Sequence, residues 1–269
     1  MSFMDKLEEL KEYLKGIGSI AIAFSSGVDS TFLLKVAHDT LGDKCIAITG
    51  QSPSFPEREK QEAAAFCQNE GIKQIAFDTN EIQDENYAQN PKNRCYYCKH
   101  ILFSKMLEIA RQNGIEHVAE GSNMDDLGDY RPGLQAISEL KVLSPLREVG
   151  LTKAEIREYS RKLGLPTWEK QSFACLASRF VYGERITADK LKMVEKAEEQ
   201  LSQLGLKQYR VRIHGNLARI EVAPSDIALL VQEDIRNGIV NSFKDYGFSY
   251  VTLDLQGYRM GSMNEVINK

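Results

Sequence analysis

Six residues, Ser25-Ser26-Gly27-Val28-Asp29-Ser30, join an apolar run at 19–24 to a stretch, residues 31–38, with a helical pattern. The run is short enough for a buried parallel strand. A loop of small residues entering a helix turns backbone N–H groups toward an anion, and the positive end of the helix dipole adds to the attraction. Ser25, Ser26 and Ser30 bring hydroxyls, and Gly27 permits close backbone approach. No Gly-Lys-Ser/Thr follows, so this is not a Walker loop. The chemistry it suits is the holding of a phosphate-type anion.

A second group is built on sulfur. Cys95-Tyr96-Tyr97-Cys98 is expected at the end of an irregular loop just before a helix, and Cys175 lies in Ser172-Phe-Ala-Cys-Leu-Ala-Ser-Arg179. Cys45 and Cys67 fall on strand and helix core positions and read as small buried hydrophobes. The total is five cysteines, an odd number, and the first residues lack the apolar core of a signal peptide. A disulfide framework is therefore not expected. The other three cysteines fit two chemistries. They could hold three irons of a [4Fe–4S] cluster, leaving the fourth iron open, or bind zinc together with His100. Spacing leaves that choice open. Asp125, Asp126 and Asp129 suit either magnesium or loop capping. Arg210 and Arg212 sit on an alternating segment and face the same side of it.

The elements that must position these groups follow from periodicity. Residues 4–15 read as a helix with Leu7, Leu10 and Leu14 at helical spacing. Strands are expected at 19–24, 45–49, 74–77, 117–120 and 141–143, alternating with helices at 56–71, 99–113 and 152–163; residues 79–93 read as a loop. Such alternation indicates an α/β fold, a doubly wound parallel sheet whose ligands bind beyond the carboxyl ends of the strands. Thr49, Asp78 and Gly121–Asn123 fall there. Beyond a charged helix at 187–204, two alternating segments joined at His214-Gly215-Asn216 read as a hairpin, then helices and a last strand at 248–255. The expected division is a nucleotide-binding domain over residues 1–182 and a smaller α+β domain over 183–269.

Composition bounds the function. The chain has 269 residues, 42% hydrophobic and 27% charged, with a net charge of −4. These are the values of a soluble globular protein. No apolar segment approaches membrane-spanning length, so a cytoplasmic protein without membrane association is expected. The acidic balance argues against a nucleic-acid surface.

The loop resembles the SGGxDS pyrophosphate loop of the N-type (PP-loop) ATP pyrophosphatases, with Ser26 in place of the usual first glycine. That resemblance implies ATP with Mg²⁺, cleavage between the α and β phosphates, and Asp29 beside the metal and pyrophosphate. Ser25, Ser26, Gly27, Asp29, Ser30, Thr49, Gly121 and Ser122 would line the nucleotide site. The resemblance to the LarE family is closer and covers nearly the whole chain. It rests on the loop, Asn93-Arg-Cys-Tyr-Tyr-Cys-Lys99, residues 120–133, Ser144-Pro-Leu-Arg147, Cys175-Leu-Ala-Ser-Arg179 and Arg210-Val-Arg212.

This family implies an ATP-dependent sulfur transferase of nickel-pincer nucleotide biosynthesis. It adenylates the carboxylates of pyridinium-3,5-dicarboxylate mononucleotide and turns them into thiocarboxylates. Cys175 matches the sulfur-carrying cysteine. Some members sacrifice that sulfur; others, with a CxxC pair, hold a [4Fe–4S] cluster on three cysteines. Cys95 and Cys98 place this chain with the second group, so Cys95, Cys98 and Cys175 are the expected metal ligands. Arg179, Arg210, Arg212 and Arg259 are expected partners of the anionic nucleotide, since guanidinium binds phosphate and carboxylate bidentately. The resemblance also implies a homo-oligomer and other nickel-pincer biosynthesis proteins as partners. Rival readings are a tRNA-thiolating PP-loop enzyme, an amide ligase and a non-enzymatic nucleotide sensor.

Overall fold

The computed structural model describes residues 5–126, 132–171, 174–259 and 261–264. In chain order its elements are α1 (Lys6–Ile17), β1 (Ile20–Ala23), α2 (Val28–Leu41), β2 (Cys45–Gln51), α3 (Glu57–Glu70), β3 (Gln74–Asp78), α4 (Glu85–Ala88), α5 (Arg94–Gln112), β4 (Val118–Ala119), α6 (Pro132–Glu139), α7 (Pro145–Glu148), α8 (Lys153–Lys162), α9 (Ala188–Gln203), β5 (Tyr209–His214), β6 (Leu217–Val222), α10 (Ile227–Leu230), α11 (Glu233–Tyr246) and β7 (Tyr250–Leu253). The chain divides into two compact units, one of residues 1–81 and 95–173, the other of residues 82–94 and 174–269. The longer piece of the second unit thus starts at Ala174, ahead of residue 183, and its shorter piece, residues 82–94, comes from within the span expected for the nucleotide-binding domain.

The first unit is α/β. Its sheet is parallel throughout, in the order β3-β2-β1-β4. Alternation along the strands sends side chains to opposite faces. Ile20, Ile22, Cys45 and Ala47 join one core with Leu10 and Leu14 of α1, Phe32 and Leu33 of α2, Ala63 and Phe66 of α3 and Ile156 of α8. Ala21, Ile46 and Ile48 join the other with Phe103, Met106 and Ala110 of α5 and Ile137 of α6. Because both faces are covered, the strands read as continuous apolar runs.

Side-chain caps open α1, α4, α8 and α9. The Thr152 side chain accepts from the Glu155 backbone and Glu155 reaches back, a full capping box opening α8. Asp84 caps the single turn of α4, which lies inside the stretch expected to be loop and is too short to show a period. The expected fifth strand at 141–143 reduces to one bridge between Ala119 and Leu143. The helix expected from Lys99 begins at Arg94, so the CxxC pair lies inside α5 rather than before it.

The second unit is a three-stranded sheet in the order β5-β6-β7, with an antiparallel hairpin and a parallel edge. Leu191, Val194 and Leu201 of α9 and Phe243 of α11 are fully buried, as are Val211, Ile213 and Ala218 of the hairpin. Residues 82–94 belong to this unit through hydrogen bonds. Asn90 donates to Val181 O at 2.7 Å, Arg94 donates to Ala177 O at 2.8 Å, and Ile186 N donates to Ala88 O at 2.8 Å. Among the described residues, no helix is long and apolar enough to cross a membrane.

Candidate active site

The loop is where the motif puts it, between the carboxyl end of β1 and the start of α2. Gly27 is the N-cap of α2 and makes no side-chain capping bond, and Thr31 N donates to Gly27 O at 2.9 Å. Ser25 and Ser30 close the loop on itself. Their hydroxyls are 3.1 Å apart, and Ser25 N donates to the Ser30 hydroxyl at 3.4 Å. Ser26 differs from both: it has φ +51° and is 2% exposed. Its hydroxyl donates to the Glu59 carboxylate at 3.0 Å and to Glu59 O at 3.1 Å.

Asp29 stands in the first turn of α2. Asn123 Nδ2 donates to one of its oxygens at 3.2 Å, and Lys153 Nζ meets the other at 2.5 Å. The segment after β4 packs directly on this turn. A Cβ at Gly121 would lie 3.1 Å from Ser30 N and 3.1 Å from Asp29 Cβ, so glycine allows the approach. Ser122 is fixed through Glu120, whose carboxylate accepts from Ser122 N at 3.1 Å, Ser122 Oγ at 2.8 Å and Ser144 Oγ at 2.7 Å. Lys99 of α5 lies 3.9 Å from the same carboxylate. Gly121, Ser122 and Asp29 are thus assembled in one place.

Thr49 lies inside β2 rather than beyond it. Its hydroxyl donates to Phe24 O at 3.1 Å and accepts from Gln74 at 2.9 Å. Of the acidic trio, Asp125 accepts from Lys153 N at 2.7 Å and Asp126 from Asn123 N at 3.0 Å, which are capping and turning roles. Asp129 lies outside the described residues.

The sulfur residues separate by environment. Burial pushes the Cys45 and Cys67 thiols up to about 12, which makes both poor nucleophiles and metal ligands. Cys95 and Cys98 lie three residues apart in the first turn of α5 and share a helix face; Cys95 is exposed and Cys98 half-buried. The expected zinc partner His100 is turned to Tyr96, with ring centroids 5.9 Å apart. Cys175 is exposed at the N-cap of a 3₁₀ turn over Leu176–Arg179 in the second unit. Among the described residues, no three His, Cys, Asp or Glu side chains form a ready metal group.

In the second unit Arg179 is 1% exposed and every part of its guanidinium is engaged. Nε and Nη2 donate to the Glu198 carboxylate, both at 2.8 Å. Nη1 donates to Ala174 O at 2.6 Å, Cys175 O at 3.1 Å and Ser178 Oγ at 2.9 Å. Burial works against its charge, yet Glu198 holds its pKa above the ordinary value. Arg179 therefore clamps the turn that carries Cys175.

Arg212 pairs with Glu221 at 2.9 Å and donates to Ser178 O at 3.0 Å and Ser262 Oγ at 3.1 Å. Arg210 stacks 5.2 Å from the Tyr258 ring. Burial, and then the positive charge of Arg179, lower its pKa against the opposing pull of Glu198. Both arginines are buried, not the solvated face that a hairpin usually offers. Arg259 donates to Gly257 O at 3.2 Å and lies 3.7 Å from Asp254.

Glu59, Lys153, Lys170, Glu198 and Glu221 were not singled out by motif or spacing. Glu59, Lys153, Lys170 and Glu198 act on residues 19 or more positions away, so only their being charged residues near core positions could have marked them; Glu221 meets Arg212 across the hairpin, nine positions away.

No family model matches the chain. It is 46% identical over 264 residues to an uncharacterized protein of Synechocystis, covering 98% of each chain. It is 37% identical over 258 residues to the pyridinium-3,5-bisthiocarboxylic acid mononucleotide synthase of Lactiplantibacillus plantarum, covering 95% of this chain and 92% of that one. A more distant relative, at 28% identity over 73% of this chain and 69% of its own, is a glutamine-hydrolyzing GMP synthase component of Archaeoglobus fulgidus. The loop geometry and these full-length similarities agree: the chain belongs to the LarE family of PP-loop ATP pyrophosphatases.

Proposed function

We propose that this enzyme converts the carboxylates of pyridinium-3,5-dicarboxylate mononucleotide to thiocarboxylates at the expense of ATP. The observation that carries this reading is the near full-length similarity to the Lactiplantibacillus plantarum synthase, together with a phosphate loop at the start of α2. A substrate carboxylate attacks the α-phosphorus and pyrophosphate leaves. A hydrosulfide-level nucleophile then attacks the acyl carbon, AMP leaves, and a proton is released to solvent. The N–H groups of the α2 N-terminus suit the departing pyrophosphate. Asp29 would hold the Mg²⁺ that neutralises it.

The buried arginines support an anionic substrate. Arg179, Arg210 and Arg212 face two buried carboxylates, Glu198 and Glu221. A bound phosphate or carboxylate would favour the charged form of Arg210, which burial and then the charge of Arg179 disfavour. Arg259 extends the set, and a homo-oligomer and other nickel-pincer biosynthesis proteins remain the expected partners.

For sulfur delivery we infer three thiol ligands, Cys95, Cys98 and Cys175. A [4Fe–4S] cluster held by them would, when bound, supply an exchangeable sulfide as the nucleophile. Support comes from the shared helix face of Cys95 and Cys98. The test is anaerobic reconstitution with iron and sulfide, then incubation with ATP and the dicarboxylate nucleotide. About four irons per chain and more than one thiocarboxylate per chain are expected. Zinc in place of iron, or loss of one H₂S from Cys175 after a single turnover, would replace the cluster reading. No pyrophosphate with this nucleotide would end the substrate reading, and pyrophosphate only with tRNA would select the rival.

A further inference from the structure

Ser26 is held at φ +51°, a left-handed conformation that L side chains rarely adopt, in the middle of the phosphate loop. Something must hold it there, and two charged residues do so. The Ser26 hydroxyl donates to the Glu59 carboxylate at 3.0 Å and to Glu59 O at 3.1 Å. Glu59 is 4% exposed, so these bonds are shielded from water. Lys170 Nζ donates to Ser26 O at 3.0 Å, lies 3.4 Å from the Ser26 hydroxyl, and bonds the same Glu59 oxygen at 2.5 Å. A second carboxylate, Glu62, also meets that ammonium.

The peptide plane explains why this matters. In a trans peptide the carbonyl and the following N–H point in opposite directions. Lys170, by holding the Ser26 carbonyl, turns the Gly27 N–H away from itself. Gly27 is the N-cap of α2, so its N–H belongs to the set that meets an anion. A Ser26 that relaxed to an extended conformation would rotate this peptide and misdirect the N–H.

We propose that Glu59 and Lys170 are positioning residues that lock Ser26 in its left-handed conformation and thereby preform the ATP phosphate site. The proposal rests on the reading of this loop as the ATP site. Glu59 acts through the Ser26 side chain, and Lys170 acts through the Ser26 carbonyl. The two therefore differ in how they depend on that side chain. A glycine at position 26 adopts positive φ without the penalty of a side chain, so it dispenses with the Glu59 anchor but still has a carbonyl for Lys170 to hold.

The experiment measures ATP dissociation constants by calorimetry on the full chain, with thermal unfolding as a control for folding. Glu59→Leu is expected to weaken ATP binding about tenfold in the natural background. In the Ser26→Gly background the same change should cost less than about threefold, a coupling of the size seen between contacting residues. Ser26→Ala, which keeps the conformational demand but removes the anchor, should behave like Glu59→Leu. It covers the case in which Glu59→Leu fails to fold. Lys170→Met should weaken binding in both backgrounds alike. An equal loss for Glu59→Leu in both backgrounds would overturn the proposal, marking Glu59 as generally structural. An unchanged ATP affinity in Glu59→Leu, beside normal binding by the unaltered protein, would overturn it while leaving the ATP reading intact. Failure of the unaltered protein to bind ATP would overturn both.

Discussion

The ammonium of Lys153 rests on the carboxylate of Asp29, 2.5 Å away, at the first turn of α2. Both side chains are partly exposed, so the pair is worth at most about 1 kcal/mol. A magnesium ion held by Asp29 must compete with it. Lys153→Met is therefore expected to lower the half-saturating Mg²⁺ concentration for ATP binding by up to about fivefold. Asp29→Ala should abolish AMP and pyrophosphate formation without unfolding the protein. Retained ATP cleavage in that variant would remove Asp29 from the site.

Arg179 and Arg210 should respond to substitution in opposite ways. Breaking a buried bidentate pair leaves its partner charged and alone, at a cost of about 3–5 kcal/mol. Arg179→Ala and Glu198→Ala should each lower the unfolding free energy by that order, measured by urea denaturation. Arg210→Ala should instead weaken binding of the nucleotide substrate by about 1.5–3 kcal/mol, the range for a charged hydrogen bond, with ATP binding little changed. Equal loss of both ligands would show that the hairpin is structural.

Thiol reactivity separates the cysteines. With thiols pushed up to about 12, Cys45 and Cys67 should resist alkylation at pH 8 in the folded protein. Cys95, Cys98 and Cys175 should be labelled, and all three should be protected after iron and sulfide are loaded. Peptide mass mapping reads the pattern directly. Protection of Cys95 and Cys98 alone would remove Cys175 from the ligand set.

Acid should weaken the start of α8 through Glu155. Its bond from Lys6, with help from the Thr152 backbone and hydroxyl, lowers its pKa from 4.5 to about 2. A depressed carboxylate stabilises the fold above its unfolded value. Its contribution is present above about pH 4.5 and is lost as pH falls toward 2. Both side chains are 37% exposed, so screening limits the effect to about 1 kcal/mol. Glu155→Gln should flatten the acid limb of the stability profile across that window. An unchanged profile would assign the acid transition to other carboxylates.

Local order in the chain determined the parallel sheet, the phosphate loop and the pair of cysteines. Each depends on neighbours: apolar runs for buried strands, small residues between strand and helix, and two thiols at a set spacing. Residues 19–24 and 45–49 therefore read as strands, and Ser25–Ser30 as an anion loop, without any knowledge of distant parts. The same locality explains the misses. The first turn of α5 has no apolar period, so its start at Arg94 could not be read. The strand at 141–143 has suitable residues, yet it makes only one bridge.

Only the tertiary structure decided what the charged residues do. Arg179 has the sequence context of a ligand-binding arginine, but it clamps the Cys175 turn through Glu198, 19 residues away. Ser26 looks like one more hydroxyl for an anion; its hydroxyl lies on Glu59 and its carbonyl on Lys170, 144 residues away. Hydrophobic periodicity repeats along the chain and can be read there. A buried charge needs one partner of opposite sign in one geometry, and the fold is free to bring that partner from anywhere.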